Sequence, residues 1–406
     1  MHKKTGQWIF LAILFIFIVS DTSLAATSPV VVGGAAIVID SNNGQVLYEK
    51  NSHQHMYPAS TTKILTAIIA LENSNLNDQV RISSNACNVE GSAVGLQEGE
   101  RISMEDLLYA LMLNSGNDTA VAIAEHVGGS VSGFVDLTNK KAAEIGAVDS
   151  HFNNPNGLPD PNHYSSAYDL AVIARYAMKN PEFRKIVATE TKNIRRENPE
   201  AQTYLLNHNK MLWQYEGTIG IKTGYTDAAG QCLVAAANRQ NRELIAVVLG
   251  SVGTSIWDDD RALLDYGFVE FKSASVIDAA KYVTDTSVKY GVSTSVPVVA
   301  SQSFTYDFPK DKPVEVRQEV RLKEQVSAPV VAGQKLGELV FFSGEREIGR
   351  VDLVSQQDVR RKWSVHWWQW VSLVLFILLW RSVNRFRYKY RRRGYVNLDR
   401  RKYYWK

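Results

Sequence analysis

Two stretches of the chain lack the interleaving of apolar and polar positions that marks ordinary globular elements. Trp8 to Val19 is an apolar run preceded by Lys3 and Lys4 and followed by Ser23-Leu24-Ala25-Ala26. That order of charge, apolar centre and small residues predicts a secretory signal over residues 1–25, cut after Ala25 or Ala26. The run is short for a span of about 20 residues, which argues against an uncleaved anchor. The second stretch, Trp363 to Trp380, carries no acidic or basic charge and is bracketed by Lys362 and Arg381. As a helix it would extend about 27 Å, close to the roughly 30 Å of hydrocarbon in a bilayer. Trp363, Trp367, Trp368 and Trp370 crowd one end and Trp380 closes the other, as interfacial aromatic belts do. Residues 363–380 are therefore expected to form a membrane anchor, with 381–406 as a basic cytoplasmic tail. An interfacial helix is the alternative, because His366 and Gln369 leave only Val371 to Leu379 strongly apolar.

Between these ends the periodicities are those of a folded protein. Ala35 to Asp40 and Val46 to Glu49 flank Ser41-Asn42-Asn43-Gly44, and Asn-Gly is a strong hairpin turn. Helical spacing follows in Ile64 to Leu71, Met104 to Leu113, Thr119 to Val127, Val131 to Ile145 and Ala167 to Met178. Cys232 to Ala237 and Leu244 to Leu249 read as paired strands, and Leu263 to Phe271 as a returning helix. Strands at both ends with helices between predict an α/β (α+β) domain, an antiparallel sheet packed by helices, over residues 26–272. Near Ser273 the character changes. From Val276 to Val354 the chain is rich in Val, Thr and Ser, with alternating runs such as Val314-Glu315-Val316-Arg317. This predicts a small all-β domain over residues 273–358.

Composition adds a charge asymmetry. The 406 residues are 45% hydrophobic and 21% charged with a formal net charge of +3, ordinary for a protein that buries a real core. Ala26 to Asp358 holds 29 Lys and Arg against 40 Asp and Glu, whereas Arg381 to Lys406 holds 11 against one. An acidic body with a basic tail beside an apolar stretch reads as a membrane flank, so no nucleic-acid partner is expected. The two cysteines, Cys87 and Cys232, sit among small or apolar neighbours and are expected as buried free thiols. His53-Gln54-His55 is the nearest approach to a metal pair, and no metal or cofactor is expected. Asp258-Asp259-Asp260 reads as a solvated turn or a helix N-terminus.

Ser60 and Lys63 stand three positions apart where a helix begins, on one face, so the amine can reach the hydroxyl. Serine attacks only when a base takes its proton, and lysine serves if burial and neighbouring cations depress its pKa. Ser115-Gly116-Asn117 follows the apolar helix ending at Leu113, and Lys222-Thr223-Gly224 precedes the strand around Leu233. Ser-x-x-Lys, Ser-x-Asn and Lys-Thr-Gly in that order are the signature elements of penicillin-binding proteins and serine β-lactamases.

On these motifs the chain resembles the low-molecular-mass penicillin-binding proteins that act as D-alanyl-D-alanine carboxypeptidases. His163-Tyr164-Ser165-Ser166-Ala167-Tyr168-Asp169-Leu170 and Asn154-Pro155-Asn156-Gly157-Leu158 resemble segments of the group, and both also read as a loop capping the helix near Ala167. The β domain resembles the group's C-terminal module around Ala328-Pro329-Val330-Val331-Ala332-Gly333-Gln334-Lys335-Leu336-Gly337. The resemblance implies a penicillin-binding protein/β-lactamase-like fold, a small β domain and a C-terminal transmembrane helix. It implies Ser60 as nucleophile, Lys63 as base and Ser115 as proton relay. Asn117, Lys222, Thr223, Gly224 and Tyr225 would bind substrate, the backbone N–H groups of Ser60 and Tyr225 holding the oxyanion. The implied partners are peptidoglycan stem peptides ending in D-Ala-D-Ala, β-lactams and the cytoplasmic membrane. The arginine that some relatives use for the substrate carboxylate has no counterpart in Ser255-Ile256-Trp257-Asp258. A class A β-lactamase would need a Glu-x-x-x-Asn loop between Asn117 and Lys222, and none is present. A catalytically silent wall binder would predict erosion of Ser60, Lys63, Ser115 or Lys222, and all four are intact.

Overall fold

Apolar residues alternating between two faces build the first half of the molecule. A computed structural model describes residues 28–311, 315–363 and 367–399; the expected signal at 1–25 lies outside the described residues. The described residues divide into two compact units, 28–273 with 307–311, and 274–306 with 315–363 and 367–399.

The first unit is organised on five antiparallel strands: β1 (Ala35–Asp40), β2 (Val46–Lys50), β3 (Thr218–Thr226), β4 (Gly230–Arg239) and β5 (Arg242–Ser251), in the order β2-β1-β5-β4-β3. Ile37 lies opposite Val247, and Lys222 opposite Val234. The central strands read as unbroken apolar runs because both faces of the sheet are covered. Ile37, Ile39, Val234, Ala236, Ile245 and Val247 enter one core. Val38, Leu233, Ala235, Leu244 and Val248 enter the other.

The larger core receives α1 (Lys63–Asn73), α2 (Met104–Leu113), α3 (Asn117–Gly128), α4 (Val131–Glu144) and α5 (Ala167–Ala177). The smaller core lies under α6 (Ser255–Glu270). Capping sets the starts of α2 and α5. Ser103 Oγ accepts the Asp106 N–H at 3.1 Å, and Ser166 Oγ accepts that of Asp169 at 3.0 Å.

Helix α6 begins at Ser255, earlier than the apolar spacing from Leu263 predicts, and takes in the Asp258-Asp259-Asp260 run. Asp258 lies in its first turn, as a helix N-terminus favours. Asp259 and Asp260 are not solvated, however. Asp259 accepts the N–H groups of Val32 (2.7 Å) and Gly33 (2.9 Å) and the Ser251 hydroxyl (2.6 Å). Burial beside Asp259 pushes the Asp260 carboxyl well above the usual range. The Asp259 clamp fixes the helix that carries Ile256 and Trp257.

The second unit is a six-stranded sheet of β6 (Tyr282–Lys289), β7 (Ser295–Ala300), β8 (Val316–Leu322), β9 (Val326–Ser327), β10 (Lys335–Ser343) and β11 (Arg346–Ser355), in the order β8-β10-β11-β7-β6-β9. Val296, Val298, Leu336, Leu339, Phe341 and Leu353 form its core.

Helix α7 covers Trp367–Asp399. Among the described residues no helix is long and apolar enough to cross a membrane, so the transmembrane helix expected at 363–380 gains no support. The reason lies in α7 itself: Gln369 interrupts its start, and past Trp380 it continues into Arg381, Arg385 and Arg387.

Asp259→Ala removes a charged acceptor and strands two backbone donors. Urea denaturation of the variant is expected to show a loss of about 3 kcal/mol, and native stability would refute the clamp.

Candidate active site

The chain approaches Ser60 through strained backbone. Ala59 adopts φ 47°, in the left-handed region that costs non-glycine residues about 1–3 kcal/mol. Ala59–Thr62 form one 3₁₀ turn that runs into α1. Lys63 opens that helix fully buried, its Nζ 2.8 Å from Ser60 Oγ. Two further acceptors surround the amine, Asn117 Oδ1 at 2.6 Å and the Asn156 carbonyl at 2.8 Å. Burial, and then the charge of Lys222, hold its pKa well below the ordinary lysine value against an opposing pull from Asp118.

Ser115 turns the chain between α2 and α3 with φ 59°, a second strained residue at the site. Asn117 starts α3, and its side chain joins two elements. Its Oδ1 accepts from Lys63, and its Nδ2 donates to the Glu90 carbonyl at 2.6 Å. Asp118 accepts the N–H groups of Val94 (2.9 Å) and Leu96 (3.2 Å), pinning the segment just after Ser92.

Strand β3 brings the third motif. It is an edge strand, and the start of the nucleophile turn packs against Gly224. A Cβ at Gly224 would stand 2.8 Å from the Ser60 nitrogen and 3.1 Å from that of Thr61, so only glycine admits this approach. Lys222 is buried and donates to the Thr223 carbonyl at 3.0 Å, and burial lowers its pKa to about 7. Tyr225 is exposed, its hydroxyl donating to Asp227 Oδ1 at 2.8 Å.

Ser60, Ser115, Thr223, Gly224 and Tyr225 thus line one cleft of about 250 Å³. Lys63 joins it through its hydrogen bond to Ser60 and Asn117 through Lys63, while Lys222 is buried and donates to the Thr223 carbonyl. The arrangement can deprotonate Ser60 for attack on an acyl carbonyl held in the cleft and present hydroxyl groups to an anionic substrate end, with Lys222 buried nearby.

Several lining residues escaped the sequence reading. His208, Ser92, Gln231, Ile256 and Trp257 also face the cleft. None belongs to a motif, and a lone serine or histidine carries no spacing signal. The Asn156 contribution is a backbone carbonyl, which no side-chain pattern reports. Arg261, the nearest base after the last strand, pairs with Asp258 at 2.8 Å on the exposed side of α6. Cys87 and Cys232 are free; Cys232 is buried as expected, whereas Cys87 is only half-buried. Cys232 also lines the cleft, but burial pushes its thiol up to about 11, leaving it inert as a nucleophile. His53 and His55 are held by Asp149 and by stacking on Tyr168 and Tyr164.

The comparisons with known proteins agree in two segments. A family described as D-alanyl-D-alanine carboxypeptidase matches residues 22–253, and one described as penicillin-binding protein 5, C-terminal domain, matches 271–361. The D-alanyl-D-alanine carboxypeptidase DacF of Bacillus subtilis is 33% identical over 334 residues, covering 80% of this chain and 86% of its own. DacA of Haemophilus influenzae is 32% identical, covering 92% and 99%. The crystal structure of penicillin-binding protein 5 from Haemophilus influenzae superposes with a TM-score of 0.73 at 31% identity, covering 82% of this chain and 99% of that one.

Gly224→Val should leave the circular dichroism spectrum native while slowing acylation by penicillin at least about a hundredfold, since it displaces the nucleophile turn. An unchanged acylation rate would refute the close approach.

Proposed function

The chain belongs to the D-alanyl-D-alanine carboxypeptidase family, and from that membership we propose how its own residues perform a serine-type hydrolysis of D-Ala-D-Ala. The substrate is a peptidoglycan stem pentapeptide. Ser60 Oγ attacks the carbonyl between the terminal D-alanines; the C–N bond breaks, the last D-alanine leaves as the free amine, and water then hydrolyses the Ser60 ester. A β-lactam acylates the same oxygen and inhibits the enzyme.

One observation carries this reading: the Lys63 amine is buried, 2.8 Å from Ser60 Oγ, between two carbonyl-type acceptors. A neutral amine has two N–H donors and one lone pair. The donors satisfy Asn117 Oδ1 and the Asn156 carbonyl, which leaves the lone pair for the Ser60 proton. Lys63 is thereby the general base without any reorganisation. Ser115, beside Ser60 in the cleft, relays the proton to the leaving amine. Asn117 remains available to the substrate amide beside it. The Thr223 hydroxyl takes the terminal carboxylate, the buried Lys222 places its positive charge nearby, and the lack of an arginine at Ile256-Trp257 throws that task more heavily on them. The oxyanion sits between the N–H groups of Ser60 and Tyr225, which Gly224 allows to converge. Loss of one such donor commonly costs about 10²–10³ in rate. No observation favours a β-lactamase: Glu144 ends α4 in ion pairs with Lys140 and Lys141.

Residues 26–272 are read as the catalytic domain and 273–358 as a β-rich spacer holding it off the membrane. The chain is exported behind its signal and kept on the extracytoplasmic side. Helix α7 exposes Trp367, Trp368, Trp370, Leu373 and Phe376 beside a basic run, which suits a tether at the membrane. Its short apolar stretch favours an interfacial seat over a span. Truncation after Lys362 should move the protein from the membrane fraction to the soluble one; retention on membranes would refute the tether.

Brief exposure to penicillin should add one acyl group to the intact protein and none to Ser60→Ala, and the native chain should release D-alanine from a Lys-D-Ala-D-Ala peptide. Penicillin consumed without an adduct would contradict the carboxypeptidase reading. The pH dependence follows from the two lysines. Lys63 must be neutral, so kcat/KM rises with pH through its depressed pKa; Lys222 must be charged, so kcat/KM falls as pH rises through about 7. Lys222→Met should remove the alkaline limb, and a limb that persists would assign it elsewhere.

A further inference from the structure

The base is only as good as the carbonyl that holds it, and that carbonyl sits on a loop. Asn153 to Leu158 is a run of short turns tied internally by its own amides. Asn154 Oδ1 accepts from Gly157 N at 2.7 Å, and Asn154 Nδ2 donates to the Leu158 carbonyl at 2.9 Å. Gly157, with φ 89°, lies so close that a Cβ there would overlap the Ala59 carbonyl. The loop meets the nucleophile helix at Lys63 through Asn156 and at Thr66, whose hydroxyl donates to the Pro155 carbonyl at 2.6 Å.

A third tie runs through His163, the fully buried head of the segment otherwise read as a helix-capping loop. The Asn153 N–H donates to its Nδ1 at 3.0 Å, so Nδ1 carries no proton and Nε2 does. That Nε2–H then donates to Thr62 Oγ1 at 2.9 Å. Phe152 stands edge-on against the ring, 5.5 Å away. One imidazole therefore joins the residue immediately before Lys63 to the residue three before Asn156.

We infer that His163 is the positioning residue of the Lys63 base: as a neutral Nε2–H imidazole it locks the nucleophile turn to the loop carbonyl that aims the amine at Ser60. Its neutrality is needed, because a protonated ring has no acceptor for Asn153. The surroundings maintain it. Burial is the largest influence, followed by Asp160, which opposes it, and by His151 and Lys63, which support it; together they bring the pKa down to about 4. At neutral pH the lock is closed.

This rests on Lys63 as the base, so Lys63→Met is measured in parallel: native acylation there would overturn the base assignment whatever His163 does. The His163 variants are compared by penicillin acylation, in the full chain, with the rate expressed per site titrated by penicillin at completion and followed across pH. His163→Leu fills the space without either hydrogen bond. It is expected to lose about 10²-fold in rate per titrated site. Its acidic limb should move toward alkaline pH, because water admitted beside Lys63 relieves the desolvation that depresses its pKa. His163→Gln, with one acceptor and one donor, should keep most of the rate and the native limb. Thr62→Val, which removes one hydrogen bond with an isostere, should lose about tenfold with a limb shift in the same sense. If His163→Leu melts earlier but acylates per site with the native rate and limb, His163 is structural only and the inference fails. If His163→Leu does not fold, Thr62→Val decides: a native rate and limb overturn the inference.

Discussion

A fully buried lysine amine is the constraint on which the site depends. An ammonium at that place carries a desolvation cost of several kcal/mol, and the second buried lysine, Lys222, adds to it. The cheaper state is the neutral amine, the one that can take a proton from Ser60. The protein does not neutralise Lys63 with a carboxylate, which would restore the ordinary pKa and remove the base. Asp118 is near enough to pull in that direction, but its oxygens are occupied by the backbone of Val94, Leu96 and Thr119. Carbonyl acceptors from Asn117 and Asn156 satisfy the N–H groups without adding a full charge.

The fold supplies this geometry by bringing distant pieces of chain to one sheet edge. Strand β3 is last in the sheet, so one of its sides remains unpaired and receives the nucleophile turn. The turn between α2 and α3 reaches the same place, as does the Asn153–Leu158 loop. Strained residues collect there: Ala59 and Ser115 both adopt positive φ. Such strain persists only where surrounding packing over-determines it, and the cores on both faces of the sheet provide that packing. The buried Asp259 clamp likewise fixes the helix that carries Ile256 and Trp257 to the cleft.

Much of this was legible in the sequence, because periodicity and spacing report side chains. The hairpin of β1 and β2, the helices of the larger core and the three motifs around Ser60, Ser115 and Lys222 are all written in residue type. What was not legible is carried by backbone or by burial. The Asn156 carbonyl has no sequence signature, so the Asn-Pro-Asn-Gly-Leu segment read as a family-like loop with no role of its own at the base. His163 looked like a cap for α5, yet the capping is done by Ser166 and the imidazole points the other way, to Thr62. The aspartate run read as a solvated turn or a helix N-terminus; the second holds for Asp258, but the burial of Asp259 and Asp260 was not legible until their surroundings were known. For the C-terminal stretch, residues 364–366 of the expected span lie outside the described residues, and the helix described from Trp367 onward joins a short apolar segment to a basic one.

The state of Lys63 is the central claim, and it can be read directly. Nuclear magnetic resonance of the protein labelled with ¹³C at lysine Cε, with the Lys63 signal assigned by its absence in Lys63→Arg, follows that amine through a pH titration in the absence of substrate. A midpoint well below the ordinary lysine value of 10.5 is expected. A midpoint at the ordinary value would mean that Lys63 rests as an ammonium, and that another group takes the serine proton.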